Sequence, residues 1–170
     1  VLFGTDKSLP DGRIFATKGE AGFQAQTLAP GLYWMKWIWQ YSIDMTPFTI
    51  IPEGKIGLVL SKDGKEIPTG RILARKVECD NYQDATAFLN NGGQKGRQTA
   101  FITTGSYRIN TFLFEIVIAD QIKIYENMVG IVTALDGEPI PLGQIAGKYV
   151  EGHNNFQDFD DFLEKGGNRG

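Results

Sequence analysis

The sequence predicts a mainly β fold, with α+β as the second choice: tandem small β-sheet or barrel modules, each complete copy bearing a short helical insertion. Three observations predict it. The 21 glycines and 7 prolines punctuate short runs rich in Val, Ile, Phe, Tyr and Trp, which is strand chemistry separated by turn chemistry. Residues 57–96 and 130–170 repeat one another, with 18 of 40 positions identical at an offset of 73 that becomes 74 after one inserted residue near Asn155. Apolar runs lead twice into an Asp-Gly pair, Asp63-Gly64 and Asp136-Gly137, where positive φ suits a tight hairpin turn.

A shorter copy opens the chain. Leu9–Ala16 matches Ile67–Ala74 at an offset of 58, and Gly19, Gly22, Gln24, Gly31 and Tyr33 fall on Gly93, Gly96, Gln98, Gly105 and Tyr107 at an offset of 74. The difference, 74 − 58 = 16, means that copy one lacks most of the YQDATAFLNN segment. The expected organisation is a partial repeat over 1–54, a complete β module over 55–127 with a helix near 82–90, and a truncated third copy over 128–170 with a helix near 156–164. The chain begins and ends inside the pattern, so it reads as a fragment of something longer. A repeated unit of this kind points to a structural module rather than to a catalytic constellation, which is normally built once from dissimilar parts.

Along the chain, Lys55–Leu60 and Val129–Val132 read as strands entering the two Asp-Gly turns. The returning segments near Ile67–Ile72 and Ile140–Ile145 carry Pro68, Gly70, Pro141 and Gly143, which suit an edge or bend better than a central strand. Ser106–Ile118 and Leu32–Ile43 read as long strands, apolar enough to be buried on most of both faces. In the inserted segments, Asp80 or Asn81 and Asn154 or Asn155 are the expected helix N-caps, and Gly92 and Gly166 the stops. Tyr82, Ala85, Phe88 and Leu89 then make one apolar face, as do Phe156, Phe159, Phe162 and Leu163. Helices this short are marginal alone and must dock on a sheet.

Composition narrows the function classes. Lys+Arg 17 against Asp+Glu 20 gives −3 with the charges scattered, so no basic stripe points to nucleic acid. A single cysteine, Cys79, allows no internal disulfide framework. No apolar run reaches the roughly 18 residues that a membrane helix needs. There is no signal-peptide pattern and no starting methionine, so an anchor would lie outside these residues.

Several motifs hint at chemistry, and each has a plainer reading. Gly92-Gly93-Gln94 contains a Gly-Gly-Gln tripeptide, but Asn168 follows Gly166-Gly167 in copy three and Glu20 follows Gly19 in copy one, so a helix stop explains all three. Asp80 with Asp84, and Asp158 with Asp160 and Asp161, suggest a calcium site or an acid–base pair, but the Asp-x-Asp-x-Asp-Gly loop is absent. Thr86 and Ala87 stand opposite Asp160 and Asp161, and the shared Gln83, Asp84, Gln157 and Asp158 are expected to cap the helices or tie them to the sheet. His153, the only histidine, faces Asp80, and Gly-Gly-Gln-Lys-Gly-Arg lacks Walker spacing. No catalytic residue, metal ligand or cofactor is expected. The three tryptophans, Trp34, Trp37 and Trp39, share one strand and are candidate interface aromatics. Filling the core or an inter-module joint is the favoured reading for them, because a strand exposing all three would promote aggregation.

Leu28-Ala29-Pro30-Gly31-Leu32-Tyr33-Trp34 resembles the opening signature of the band-seven superfamily of stomatins, prohibitins and flotillins. Ile51–Val59, Asp63-Gly64, Pro68-x-Gly70 and the YQDATAFLNNGGQKGRQ stretch resemble, more specifically, bacterial flotillin-like proteins, and the likeness covers nearly the whole chain. The alternation of Leu-x-Pro-Gly with Ile-x-x-Gly is also similar to the stacked β-repeats of major vault protein. Tyr33 stands where many members have His. The resemblance implies a membrane-associated scaffold that self-assembles, anchored through segments outside this chain, with no active site to carry across. The expected function is a non-catalytic scaffold region of a homo-oligomer that binds no nucleic acid. The alternative is an extracellular or surface module for a carbohydrate or peptide. An enzyme, the third possibility, would need a pocket joining Asp80, Asp84 or His153.

Overall fold

A computed structural model describes residues 8–10, 12–34 and 41–170. Trp37 and Trp39 lie outside the described residues. Those described form β1 (Phe15–Ala16), β2 (Phe23–Gln24), β3 (Thr49–Ile51), β4 (Lys55–Ser61), α1 (Ala85–Asn90), β5 (Gly96–Ile102), β6 (Gly105–Tyr107), β7 (Phe114–Asp120), β8 (Glu138–Pro139), α2 (Phe159–Glu164) and β9 (Asn168–Arg169). With 24% of the described residues in strands against 8% in helices, the fold is mainly β with small helical insertions. Among the described residues no helix is long and apolar enough to cross a membrane.

The central sheet has the order β5-β4-β7, antiparallel throughout, with a register shift between Leu58 and Leu60 where β4 meets β5. β3 pairs antiparallel with β6. Burial along β4 alternates, Gly57, Val59 and Ser61 inward and Leu58 outward, as a half-buried strand requires. Beneath that face lies one core of Phe15, Val59, Tyr82, Phe88, Leu89, Ile102, Ile109, Leu113 and Phe114. The Phe88 ring meets Phe114 edge-on at 5.0 Å, and Tyr82 meets Phe114 likewise at 5.3 Å. Helix α1 has six residues, too few to persist in water. Burial of Phe88 and Leu89, roughly 1.5–3 kcal/mol each, is what holds it.

The copies share local geometry closely. Each carries a Pro-x-Gly turn: Arg13, Arg71 and Gln144 donate their N–H to the carbonyls of Pro10, Pro68 and Pro141, each at 3.1 Å. Gly12, Gly70 and Gly143 take φ of 79°, 93° and 91°, the type II position that favours glycine. The parallel pairing of Ala16 with Gln24 recurs as a bridge between Ala74 and Gln98. Likewise the parallel β8–β9 pairing of Glu138 with Asn168 recurs between Lys65 and Gln94.

Several expectations need correction. Asp63-Gly64 and Asp136-Gly137 are not hairpin turns. Strand β4 pairs with β5 and β7, while the segment after Gly64 runs parallel beside Gln94, because each Asp turns inward for another purpose described below. Ser106–Ile118 is not one strand. It breaks between β6 and β7, where the Asn110 side chain accepts the N–H groups of Phe112 and Leu113 at 3.1 and 3.3 Å and diverts the backbone from the ladder. Nor is β7 buried on both faces: Val117 and Ile118 are about half exposed, because the sheet is a single layer there. Leu32–Trp34 is irregular, and Trp34, at 90% exposure, fills no core.

The helices start later than their patterns suggest, at Ala85 and Phe159, with Asp84 and Asp158 at the N-cap. Asp80, Asn81 and Tyr82 instead form a left-handed turn with φ of 49°, 51° and 64°, and Asn154, Asn155 and Phe156 repeat it at 45°, 51° and 63°. Left-handed backbone costs on the order of 1–2 kcal/mol per residue, least for Asn and Asp. Tyr82 offsets that cost by burying its ring. The turn also aligns the copies: Asp84 donates to the Cys79 carbonyl and Asp158 to the His153 carbonyl, both at 3.1 Å. His153 therefore stands opposite Cys79 rather than Asp80, and the inserted residue falls before it.

Candidate functional site

The residues that recur between copies converge on a clasp. The Asp63 carboxylate is buried, and its Oδ2 accepts the N–H groups of Ile14 and Phe15 at 2.9 and 2.8 Å, while Oδ1 accepts that of Gly64 at 2.7 Å. Asp136 does the same one copy later. Its Oδ2 accepts from Ile72 and Leu73 at 3.0 and 3.1 Å, and its Oδ1 from Gly137 at 2.9 Å. In both cases the donors are the two residues that follow a Pro-x-Gly-Arg turn of the preceding copy. The turn aims two consecutive N–H groups outward, and a carboxylate oxygen is the acceptor best suited to take both.

Electrostatics agree with that geometry. Burial alone would push the Asp136 carboxyl upward. Donation from Ile72, Leu73 and Gly137, with Arg71 Nε 3.5 Å away, outweighs it and holds the group below the ordinary carboxylate range. Neither carboxylate is oriented toward open solvent as a free base would be. Glycine beside each Asp permits the approach: a Cβ on Gly64 or Gly137 would lie 2.5 Å from the carbonyl oxygen of Gly93 or Gly167.

The Gly-Gly-Gln tripeptide closes the second half of the clasp. Gln94 Oε1 accepts the Arg75 N–H at 2.8 Å, Asn168 Oδ1 accepts the Lys148 N–H at 2.9 Å, and Glu20 Oε2 accepts the N–H groups of Thr17 and Lys18 at 3.2 and 2.7 Å. Three different side chains present an oxygen to the same stretch of backbone. Gly93 and Gly167 pack so closely on the rings of Phe88 and Phe162 that no Cβ fits. Gly92 and Gly166, with φ of 86° and 81°, follow the last turn of α1 and α2 as expected.

At the helix starts, Asp84 accepts the Ala87 N–H at 2.8 Å as a side-chain cap, and Gln83 Oε1 accepts the Arg108 N–H at 3.1 Å, tying α1 to the sheet. Asp158 occupies the same cap position without a side-chain bond. Asp160 and Asp161 do not act together. Asp160 Oδ2 accepts from Lys76 N–H and Thr99 Oγ, joining α2 to copy two, while Asp161 pairs with Lys165 at 3.2 Å. Asn110, unremarked in the sequence, donates to the carbonyls of Gln24 and Ala25 at 3.2 and 3.1 Å and joins copies one and two.

A cleft of about 270 Å³ lies where copies two and three meet, lined by Lys76, Cys79, Tyr82, Thr99, Asp158 and Asp160 among others. None of Asp80, Asp84 and His153 lines it. His153 Nδ1 accepts the Phe156 N–H at 2.8 Å, and its ring packs on Phe156 at 4.2 Å. Burial pushes the Cys79 thiol upward, away from the thiolate form that a nucleophile needs. Burial likewise raises the Tyr82 phenol, which meets the Ala100 carbonyl at 3.2 Å. Among the described residues no three His, Cys, Asp or Glu side chains gather as a metal-holding group.

No known family, curated protein or solved structure matches the chain.

Proposed function

We propose that this chain is a non-catalytic scaffold and assembly region of a membrane-associated, flotillin-like oligomer, in which successive copies of one β unit interlock through buried carboxylates. One observation carries the reading: the Asp63 and Asp136 carboxylates, the best-placed acids of the repeat, are both consumed by backbone N–H groups of the preceding copy. Residues spent on holding units together leave the repeat free to serve as a rigid spacer. The resemblance at Leu28–Trp34 and Ile51–Val59 supports the membrane side of the proposal, with contact made through segments outside this chain. Linked units also multiply weak contacts between neighbouring chains, so no single interface need be tight.

The test is association at a surface. The labelled chain, tethered by an N-terminal hexahistidine tag to vesicles carrying nickel-chelating lipid, should cluster above the random level in energy-transfer measurements. Sedimentation velocity at high concentration should show species heavier than the 18.8 kDa monomer. A random surface distribution with monomeric sedimentation at every concentration would overturn the proposal.

A second reading, a surface module for a carbohydrate or peptide, is favoured by one observation: Leu32 and Trp34 are exposed on either side of Tyr33, whose hydroxyl donates to the Ala29 carbonyl at 2.7 Å. Saturable changes in tryptophan fluorescence on titration with oligosaccharides, abolished by Trp34→Ala, would favour it over the scaffold.

A further inference from the structure

Among the described residues the clasp is made twice, and a third set of donors stands unused. The turn at Pro141-Leu142-Gly143-Gln144 has the same geometry as its two predecessors. After the first two turns, the N–H groups of Ile14 and Phe15, and of Ile72 and Leu73, go to a buried carboxylate. After the third, the N–H groups of Ile145 and Ala146 meet no acceptor among the described residues. Burial follows the same division. Ala16 and Ala74 are buried behind the first two turns, whereas every residue from Pro141 to Tyr149 is exposed, Leu142 and Ile145 completely.

The sheet of copy three is open in the same way. Ser61 in β4 pairs with Gly96, and β4 continues between β5 and β7. Ala134 pairs with Gly170 at 3.3 and 2.8 Å, as Ser61 does with Gly96, but among the described residues no strand lies beside the preceding Gly130–Thr133. Val59 is buried in β4, while its counterpart Val132 and the neighbouring Ile131 are exposed.

We propose that the Pro141–Gly147 turn and the open Gly130–Thr133 segment are the docking face for one further unit of this same repeat, continuing the polypeptide and bringing its own Asp-Gly. The occupant must supply a carboxylate able to take two consecutive N–H groups and strands able to flank an apolar ladder, and the repeat unit supplies both. It is a unit in the same polypeptide because the observed clasps join residues 49 and 64 positions apart, and because Asp63 and Asp136 are already engaged and not free to receive a turn from a second chain. The inference deepens the scaffold reading and rests on it only for its biological meaning.

The experiment extends the intact chain with a second copy of residues 97–170. Gly170 occupies the place of Gly96, so the extension continues the pattern in register. Amide hydrogen exchange at Ile145 and Ala146 should slow by at least about tenfold relative to the unextended chain, approaching the rates of Ile72 and Leu73. Replacing the added copy of Asp136 by Ala should restore fast exchange there. Exchange is measured at a dilution where sedimentation shows the extended chain to be a monomer. Unchanged exchange at Ile145 and Ala146 overturns the proposal, and so does an extension that stays unprotected throughout its length. Protection that appears only in dimers also overturns it, because the occupant is then a second chain. A chain that clusters on vesicles without this protection sinks the docking face alone; protection without clustering sinks the scaffold alone.

Discussion

Asp63 Oδ2 receives the N–H of Phe15 at 2.8 Å from 48 residues away, and both groups are buried. That bond joins two copies of one sequence unit across their boundary, and it sets the first expectation. Asp63→Ala leaves the Ile14 and Phe15 N–H groups without their acceptor, and hydrogen bonds to a charged group are worth about 1.5–3 kcal/mol each. Thermal unfolding should fall by roughly 10 °C. Glu66→Ala, an exposed acid three residues on, should change little. Equal melting of the two variants would show that the clasp contributes nothing.

Acid should loosen the second clasp. The Asp136 carboxyl lies below its ordinary value of 3.8 in the folded chain, so its stabilisation is fully present above that value. It is lost as pH falls through the lower folded value. Denaturant midpoints measured between about pH 4 and pH 2 should therefore fall more steeply for the wild type than for Asp136→Asn, which has no proton to gain. Parallel curves would contradict the assignment.

Gly93→Ala should be destabilising for a steric reason. Its Cβ would sit 2.5 Å from the Phe88 ring, which is buried against Phe114 and cannot retreat. Overpacking of this kind costs about 1–3 kcal/mol. Near-ultraviolet circular dichroism should also change as the aromatic cluster shifts. Gly31→Ala, where the nearest atom is an ordinary 3.6 Å away, should melt like the wild type.

Exchanges borrowed from the other copies should be tolerated at position 94. Glu20 and Asn168 present their oxygens to the backbone as Gln94 does, so Gln94→Glu and Gln94→Asn should keep the bond to Arg75 N–H. Gln94→Ala should lose about 1 kcal/mol. Denaturant unfolding of the three variants separates the cases. If Glu were as harmful as Ala, the oxygen would not be the common feature.

Much of the architecture was legible in the repeat. The mainly β class, the presence of a short helix in each longer copy, the glycine stops, the tie from Gln83 and the cap from Asp84 follow from residue pattern, whereas Asp158 makes no side-chain bond at the equivalent cap. The Asp-Gly pairs were misread because a local rule, tight turns after apolar runs, ignores partners 49 or 64 residues away. The helix caps were misread because Asn and Asp serve a left-handed turn as readily as an N-cap, and only the positive φ of 80–82 and 154–156 shows which use was made. Asn81 matches Asn154 at one offset and Asn155 at the other, so identity alone left the insertion unplaced until the turn fixed it. The break at Asn110 was hidden by apolar neighbours on both sides.

The clasp also gives the array an arrow. Each unit shows an acid to the copy before it and a pair of amide hydrogens to the copy after it, so its two sides are unlike. A contact that pressed either side onto its own copy would set acid against acid or donor against donor and leave these bonds unmade. Units joined by this clasp therefore run head to tail, as the three copies here do.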